Sequence, residues 1–127
     1  MTASTPSRIA QIAVPVRDLD RAKAFYRDTL GLQWIGDAPP GLSFFRCGEV
    51  RLMLSRPEGP ETAASSIIYY AVDDIGPAHE ALAEKGVAFE QAPHVVGRLG
   101  ETEVTLAICR DSEGNLIGLM SEQTAPA

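Results

Sequence analysis

Few side chains in this sequence are equipped for chemistry, and they lie far apart. Gln11 interrupts an apolar stretch, IAQIAVPV (9–16), where an amide can both donate to and accept from a bound group. Arg51, in VRLML (50–54), offers a planar fork suited to a carboxylate or phosphate. Tyr69 carries a phenol that could hydrogen-bond a ligand. His94, in QAPHVVGRLG (91–100), carries an imidazole, a group suited to general acid or base work near neutral pH. Glu101 and Glu103 stand at the start of TEVTLAICR, with Glu103 the candidate base and a solvated rim charge its competing role. Cys47 and Cys109 both lie in apolar stretches and read as buried, reduced thiols. Cys47 becomes a nucleophile only beside a cation that lowers its pKa, and its neighbour Arg46 alternates to the opposite side of a strand. No phosphate loop, Cys-x-x-Cys pair or Ser-His-Asp order is present.

Composition narrows the partners. The 127 residues are 45% hydrophobic and 22% charged, enough apolar content for one compact domain or two small halves. A formal net charge of −6, with the 11 basic residues scattered, argues against nucleic acid as a ligand. No long apolar run is present, so no membrane association is expected and a cytoplasmic protein is the default reading.

The elements that must position these groups are legible from periodicity. RIAQIAVPV (8–16) alternates as a strand, with Ile12, Val14 and Val16 on one face and Gln11, Ala13 and Pro15 on the other. Asp18 or Asp20 can cap a following helix whose stripe runs through Leu19, Ala22, Phe25, Tyr26 and Leu30 and stops at Gly31. LQWIGD, LSFFRCG and EVRLMLSR then read as three strands. The pattern restarts at SSIIYYAVDDIGPAHEALAEKGVAF, where Val72, Asp74, Ile75 and Ala78 lie 56 residues after Val16, Asp18, Leu19 and Ala22. VAFEQAP, TEVTLAICR and NLIGLMSE complete the second unit, the last two joined by the turn DSEGN. The first module is expected over about 8–56, a polar linker over 57–64 and the second module over about 65–122. One helix covers only one face of a four-stranded sheet, which leaves the other face of each sheet to line a cleft.

VRDLDRAKAFYRDTLGL, the second AVDDIGPAHEALAEKGV and the closing RDSEGNLIGLM closely resemble the vicinal oxygen chelate superfamily, which includes glyoxalase I, bleomycin-resistance proteins, extradiol dioxygenases and fosfomycin-resistance enzymes. The resemblance spans residues 8 to about 122. It implies an α+β fold, two βαβββ modules forming curved mixed sheets around a cavity, commonly in a homodimer. Metal-dependent members place four His, Glu or Gln ligands in that cavity. Carried over by motif, those positions are Gln11, Met53, Ile67 and Gly118. Of these only Gln11 offers a familiar oxygen ligand, so neither a metal nor any other cofactor is expected.

Strand alternation puts Gln11, Ala13, Arg51, Met53, Ile67, Tyr69, Leu116, Gly118 and Met120 on the cavity face. The adjoining strand adds Phe45 and Cys47, or Phe44 and Arg46, according to register; Phe45 and Cys47 are carried as the candidates. The expected ligand-binding set is therefore Gln11, Arg51, Met53, Ile67, Tyr69, Gly118, Phe45 and Cys47, with His94, on a loop at the cavity mouth, and Glu103 as candidate catalytic groups. Two function classes follow: a metal-independent protein that binds a small apolar or aromatic molecule, or a metal-free lyase or isomerase using His94 or a rim glutamate. Metal-dependent glyoxalase or dioxygenase chemistry ranks third.

Overall fold

The computed structural model describes residues 8–56 and 66–124; the expected linker at 57–64 lies outside them. The chain divides into two compact units, Met1–Ala64 and Ser65–Ala127. Each contains a four-stranded mixed sheet and its helical segment, so the α+β architecture of paired βαβββ modules is the one observed.

In the first unit, β1 (Gln11–Pro15) leads through the Asp18 cap into α1 (Leu19–Ala24), with Asp18 Oδ1 accepting from the Arg21 backbone N–H at 3.0 Å. The helix widens into a π-helical turn over Phe25–Thr29, where Leu30 N–H donates to the carbonyl of Phe25. Gly31, at φ +80°, then reverses the chain. Three strands follow: β2 (Gln33–Ala38), β3 (Leu42–Cys47) and β4 (Val50–Ser55). The sheet order is β1-β4-β3-β2, with β1 parallel to β4 and the other pairs antiparallel. Pro15 is tolerated because β1 is an edge strand.

The helix packs on β3 and β4. Val14, Val16, Ala22, Tyr26, Phe45, Leu52 and Leu54 are all buried, and the Tyr26 and Phe45 ring centroids are 6.2 Å apart. Burial of each such large side chain is worth about 1.5–3 kcal/mol. A polar clasp joins the helix to the sheet, Lys23 Nζ pairing with Asp37 Oδ2 at 2.7 Å.

The second unit repeats the plan with β5 (Ile68–Ala71), α2 (Ile75–Glu84), β6 (Phe89–Leu99), β7 (Thr102–Arg110) and β8 (Leu116–Thr124), in the order β5-β8-β7-β6. Its core gathers Tyr70, Ile75, Leu82, Ala107, Cys109, Ile117 and Leu119. His79, on α2, is half-buried, with its ring centroid 4.4 Å from that of Phe89. The β7–β8 turn is held by Asp111, whose carboxylate accepts from the backbone N–H groups of Glu113 and Asn115 at 2.8 Å each. Among the described residues no helix is long and apolar enough to cross a membrane.

One expectation fails here. The segment after Pro93, read as a loop carrying His94 beyond a strand at VAFEQAP, continues the eleven-residue strand β6, which pairs with β7 through Leu99. Three register shifts explain how a Pro- and Gly-bearing segment remains in a sheet. One of them skips Ala92 and Pro93 and another skips Val96, so the residue without an N–H falls in a bulge rather than in the ladder.

Candidate functional site

The helix-free face of each sheet carries most of the candidate residues, whereas Phe45, Cys47 and Glu103 fall on the other face. In the first sheet, Gln11, Arg51 and Arg46 form one row across β1, β4 and β3, and Ala13, Met53 and Phe44 form the next. Arg51 Nε donates to Gln11 Oε1 at 2.6 Å, and its guanidinium lies 5.7 Å from the centre of the Phe44 ring. The other end of the amide is held too, Gln11 Nε2 approaching Met53 Sδ at 3.6 Å. The amide in the first strand thus fixes a guanidinium in place from a neighbouring strand.

Register decides the alternative left open in β3. Phe45 opposes Leu52 and is 0% exposed in the core with Tyr26, and Cys47 shares its side of the strand. Phe45 and Cys47 therefore leave the expected binding set, and Phe44 and Arg46 take their place on the helix-free face. Burial raises the Cys47 thiol pKa above its ordinary value, so the thiol is not poised as a nucleophile.

In the second sheet, Tyr69 opposes Gly118, and Gly118 opposes Ile108. A Cβ on Gly118 would fall 2.5 Å from Tyr69 Cδ1 and 2.8 Å from Cε1, so the phenol ring lies directly on the bare glycine backbone. Tyr69 nevertheless remains 42% exposed as a residue. Leu106 and Met120 oppose each other on the same face, and Leu116 lies one step beyond Gly118. Ile67 sits just before β5 and is 39% exposed. The glycine signal was in the sequence, but which ring would cover it depended on the β5–β8 register.

His94 opposes Leu106 and is exposed, its Nδ1 2.8 Å from the carbonyl of Ala92. A carbonyl only accepts, so Nδ1 donates this bond, and in the neutral imidazole Nε2 is left as the acceptor. Glu103 opposes Arg98 and Gln123. Being three residues from Leu106 in a regularly paired strand, Glu103 points to the opposite side of the sheet from His94. The two candidate catalytic groups are not brought together.

The four positions that resemblance assigns to a metal do not fit one. Gln11 Oε1 already accepts from a guanidinium, whose positive charge would oppose a second cation beside it. Met53 offers only a soft thioether, Ile67 has no lone pair, and Gly118 has no side chain and is covered by Tyr69. Among the described residues no three His, Cys, Asp or Glu side chains are grouped to hold a metal.

A pair of βαβββ units with helix-free sheet faces defines a class of proteins, and comparison with known sequences gives the family. Residues 8–119 match the Glyoxalase/Bleomycin resistance protein/Dioxygenase superfamily, and the chain belongs to it. Its sequence is 29% identical over 126 residues to the uncharacterized protein YraH of Bacillus subtilis (strain 168), covering 87% of this chain and 94% of that one. Among solved structures it is similar to a lactoylglutathione lyase from Agrobacterium tumefaciens, with a TM-score of 0.71, 25% identity and coverage of 91% and 94%. It also resembles a superfamily member from Sphaerobacter thermophilus DSM 20745, with a TM-score of 0.78, 20% identity and coverage of 91% and 98%, a likeness of fold.

Proposed function

We propose that this chain binds a small, largely apolar or aromatic molecule on the helix-free faces of its sheets, without a metal. The observation that supports this reading is Tyr69, a residue 42% exposed although its ring is seated on Gly118, with Leu106, Leu116 and Met120 on the same face. A flat aromatic surface among aliphatic side chains stacks with a planar apolar ligand and gains by excluding water. The chemistry of the donor set supports metal independence: purified without chelator and offered Zn²⁺, Ni²⁺, Mn²⁺ or Fe²⁺, the protein retains well under one equivalent by elemental analysis, and a stoichiometric ion refutes this. A homodimer, in which a symmetric partner covers sheet edges, belongs to the same reading. Light scattering at micromolar concentration tests it, a monomer mass removing it.

The test of binding is a thermal-shift screen of aromatic compounds. A ligand specific for the folded state stabilises it by about 2.7 kcal/mol at a hundredfold excess over Kd. Tyr69→Ala abolishes the shift, and the compounds are recovered intact by mass spectrometry. Shifts of equal size with and without Tyr69 overturn the assignment.

A second reading, a metal-free lyase or isomerase, draws on the His94 Nδ1 contact with the Ala92 carbonyl, which leaves Nε2 to meet a substrate. Conversion of a screened compound, lost in His94→Ala, supports that reading over simple binding.

A further inference from the structure

We infer that Arg46 and Arg51 form a binding site for the carboxylate of a small organic acid on the helix-free face of the first sheet. The two arginines are direct cross-strand partners in the antiparallel β3–β4 pair. Their Cβ atoms are therefore about 5 Å apart, on the same side of the sheet, an arrangement in which like charges repel. Acidic residues are abundant, 17 against 11 Lys and Arg. Yet Lys23 pairs with Asp37, Arg27 with Asp28 and Arg110 with Glu90, while no described carboxylate pairs with Arg46 or Arg51. The fold sets two guanidiniums side by side and leaves their charge for something else.

Arg51 is also held ready. Its Nε–H is spent on Gln11 Oε1 at 2.6 Å and its plane is backed by Phe44, which leaves the four N–H groups of the two Nη atoms as a fork. This explains the amide in the first strand. Glutamine accepts a hydrogen bond from the guanidinium without neutralising it, whereas glutamate at the same position would occupy the cation itself. A side chain fixed in advance loses less rotamer freedom when its ligand arrives. The row beside the arginines holds Ala13, Met53 and Phe44, a surface for hydrocarbon. The complementary ligand is a carboxylate on an apolar body. A polyanion is disfavoured by the net charge of −6.

The arginine pair depends on none of the contacts of Tyr69. Its probes are benzoate, the neutral isostere benzamide, and inorganic phosphate, each titrated into the full ¹⁵N-labelled chain while the arginine Nε–H resonances are followed. The Arg51 resonance is assigned by its loss in Arg51→Gln. Benzoate is expected to shift that resonance saturably, and benzamide and phosphate to leave it in place. Arg51→Gln should weaken benzoate binding, read from the remaining resonances, about 10- to 100-fold, as for a lost charge-assisted pair. Arg46→Gln should weaken it less, and Gln11→Glu should abolish it by capturing Arg51 internally, with circular dichroism showing each variant folded. An Arg51 resonance unmoved by benzoate, or unchanged affinity in Arg51→Gln, overturns the site. Tighter binding of phosphate overturns the carboxylate assignment. Benzamide binding with silent arginines overturns this inference while sparing the aromatic reading.

Discussion

Adding one methyl group at Gly118 should dislodge the Tyr69 ring, and the cost is readable from the geometry. The new Cβ would stand 2.5 Å from Tyr69 Cδ1 where ordinary contact begins near 3.4 Å, so about 0.9 Å must open. The backbone poses no obstacle, because Gly118 is not among the glycines with positive φ. Alanine would otherwise gain about 0.5–1 kcal/mol over glycine within a strand. Against that gain stands overpacking, typically about 1–3 kcal/mol, relieved as the half-exposed ring swings toward solvent. Gly118→Ala should therefore destabilise by about 1–2 kcal/mol in urea unfolding, with the midpoint lowered and the slope unchanged. The decisive comparison is a double-mutant cycle with Tyr69→Ala. Without the ring the Ile108 methyl group, at 3.3 Å, is the next atom to meet the new Cβ, and the same substitution should become neutral or stabilising. A coupling of about 1–3 kcal/mol is expected. If Gly118→Ala costs the same in both backgrounds, the ring does not rest on the glycine, and the platform on which the proposed function depends is refuted.

The face assignment in β3 is checked by a pair of truncations: Phe45→Ala, at a site 0% exposed, should cost about 3–5 kcal/mol in denaturant unfolding, and the half-buried Phe44→Ala distinctly less. Asp37 accepts from Lys23, from the buried Ser43 hydroxyl at 2.7 Å and from Trp34 Nε1 at 3.2 Å, so Asp37→Ala should cost about 1–2 kcal/mol and shift the fluorescence of the single tryptophan. Hydrogen bonds from Lys23, then from Ser43, hold the Asp37 carboxyl below its usual range; its stabilising contribution is present above the ordinary carboxylate pKa and is lost as pH falls through the lowered value, which fluorescence-detected unfolding across acid pH will show. Burial, then the charges of Asp111 and Glu90, push the Cys109 thiol from 9.0 up to about 11. The folded state keeps that proton where the unfolded chain has released it, so this contribution to stability is complete below pH 9 and disappears by about pH 11, and thiol labelling at pH 8 should modify Cys47 well before Cys109.

Much of the scaffold is written locally. Alternation through IAQIAVPV, the apolar stripe from Leu19 to Leu30 and the restart 56 residues later define two strand-helix-strand units, because period-2 and period-3.6 patterns are properties of neighbouring residues. The family is legible for the same reason, since its motifs coincide with caps and turns such as RDSEGN. Alternation also placed Gln11, Arg51 and Met53 on one face and Leu52 and Leu54 on the other, as the strand pairing has them. What alternation cannot supply is the phase between strands. Phe45 and Phe44 are adjacent and chemically identical, and only the pairing of Phe45 with Leu52 sends one into the core and the other beneath Arg51. The long strand carrying His94 was hidden because Pro93 and Gly97 signal a loop locally, whereas bulges against β7 let the ladder continue. The contact of Arg51 with Gln11, 40 residues away, and the seat of Tyr69 on Gly118 are likewise matters of register between distant strands. The sequence by itself determined which chemical groups the helix-free faces could carry. The tertiary structure decided which of them meet, because partners across a sheet are chosen by hydrogen-bond register, a relation between segments that no local pattern encodes.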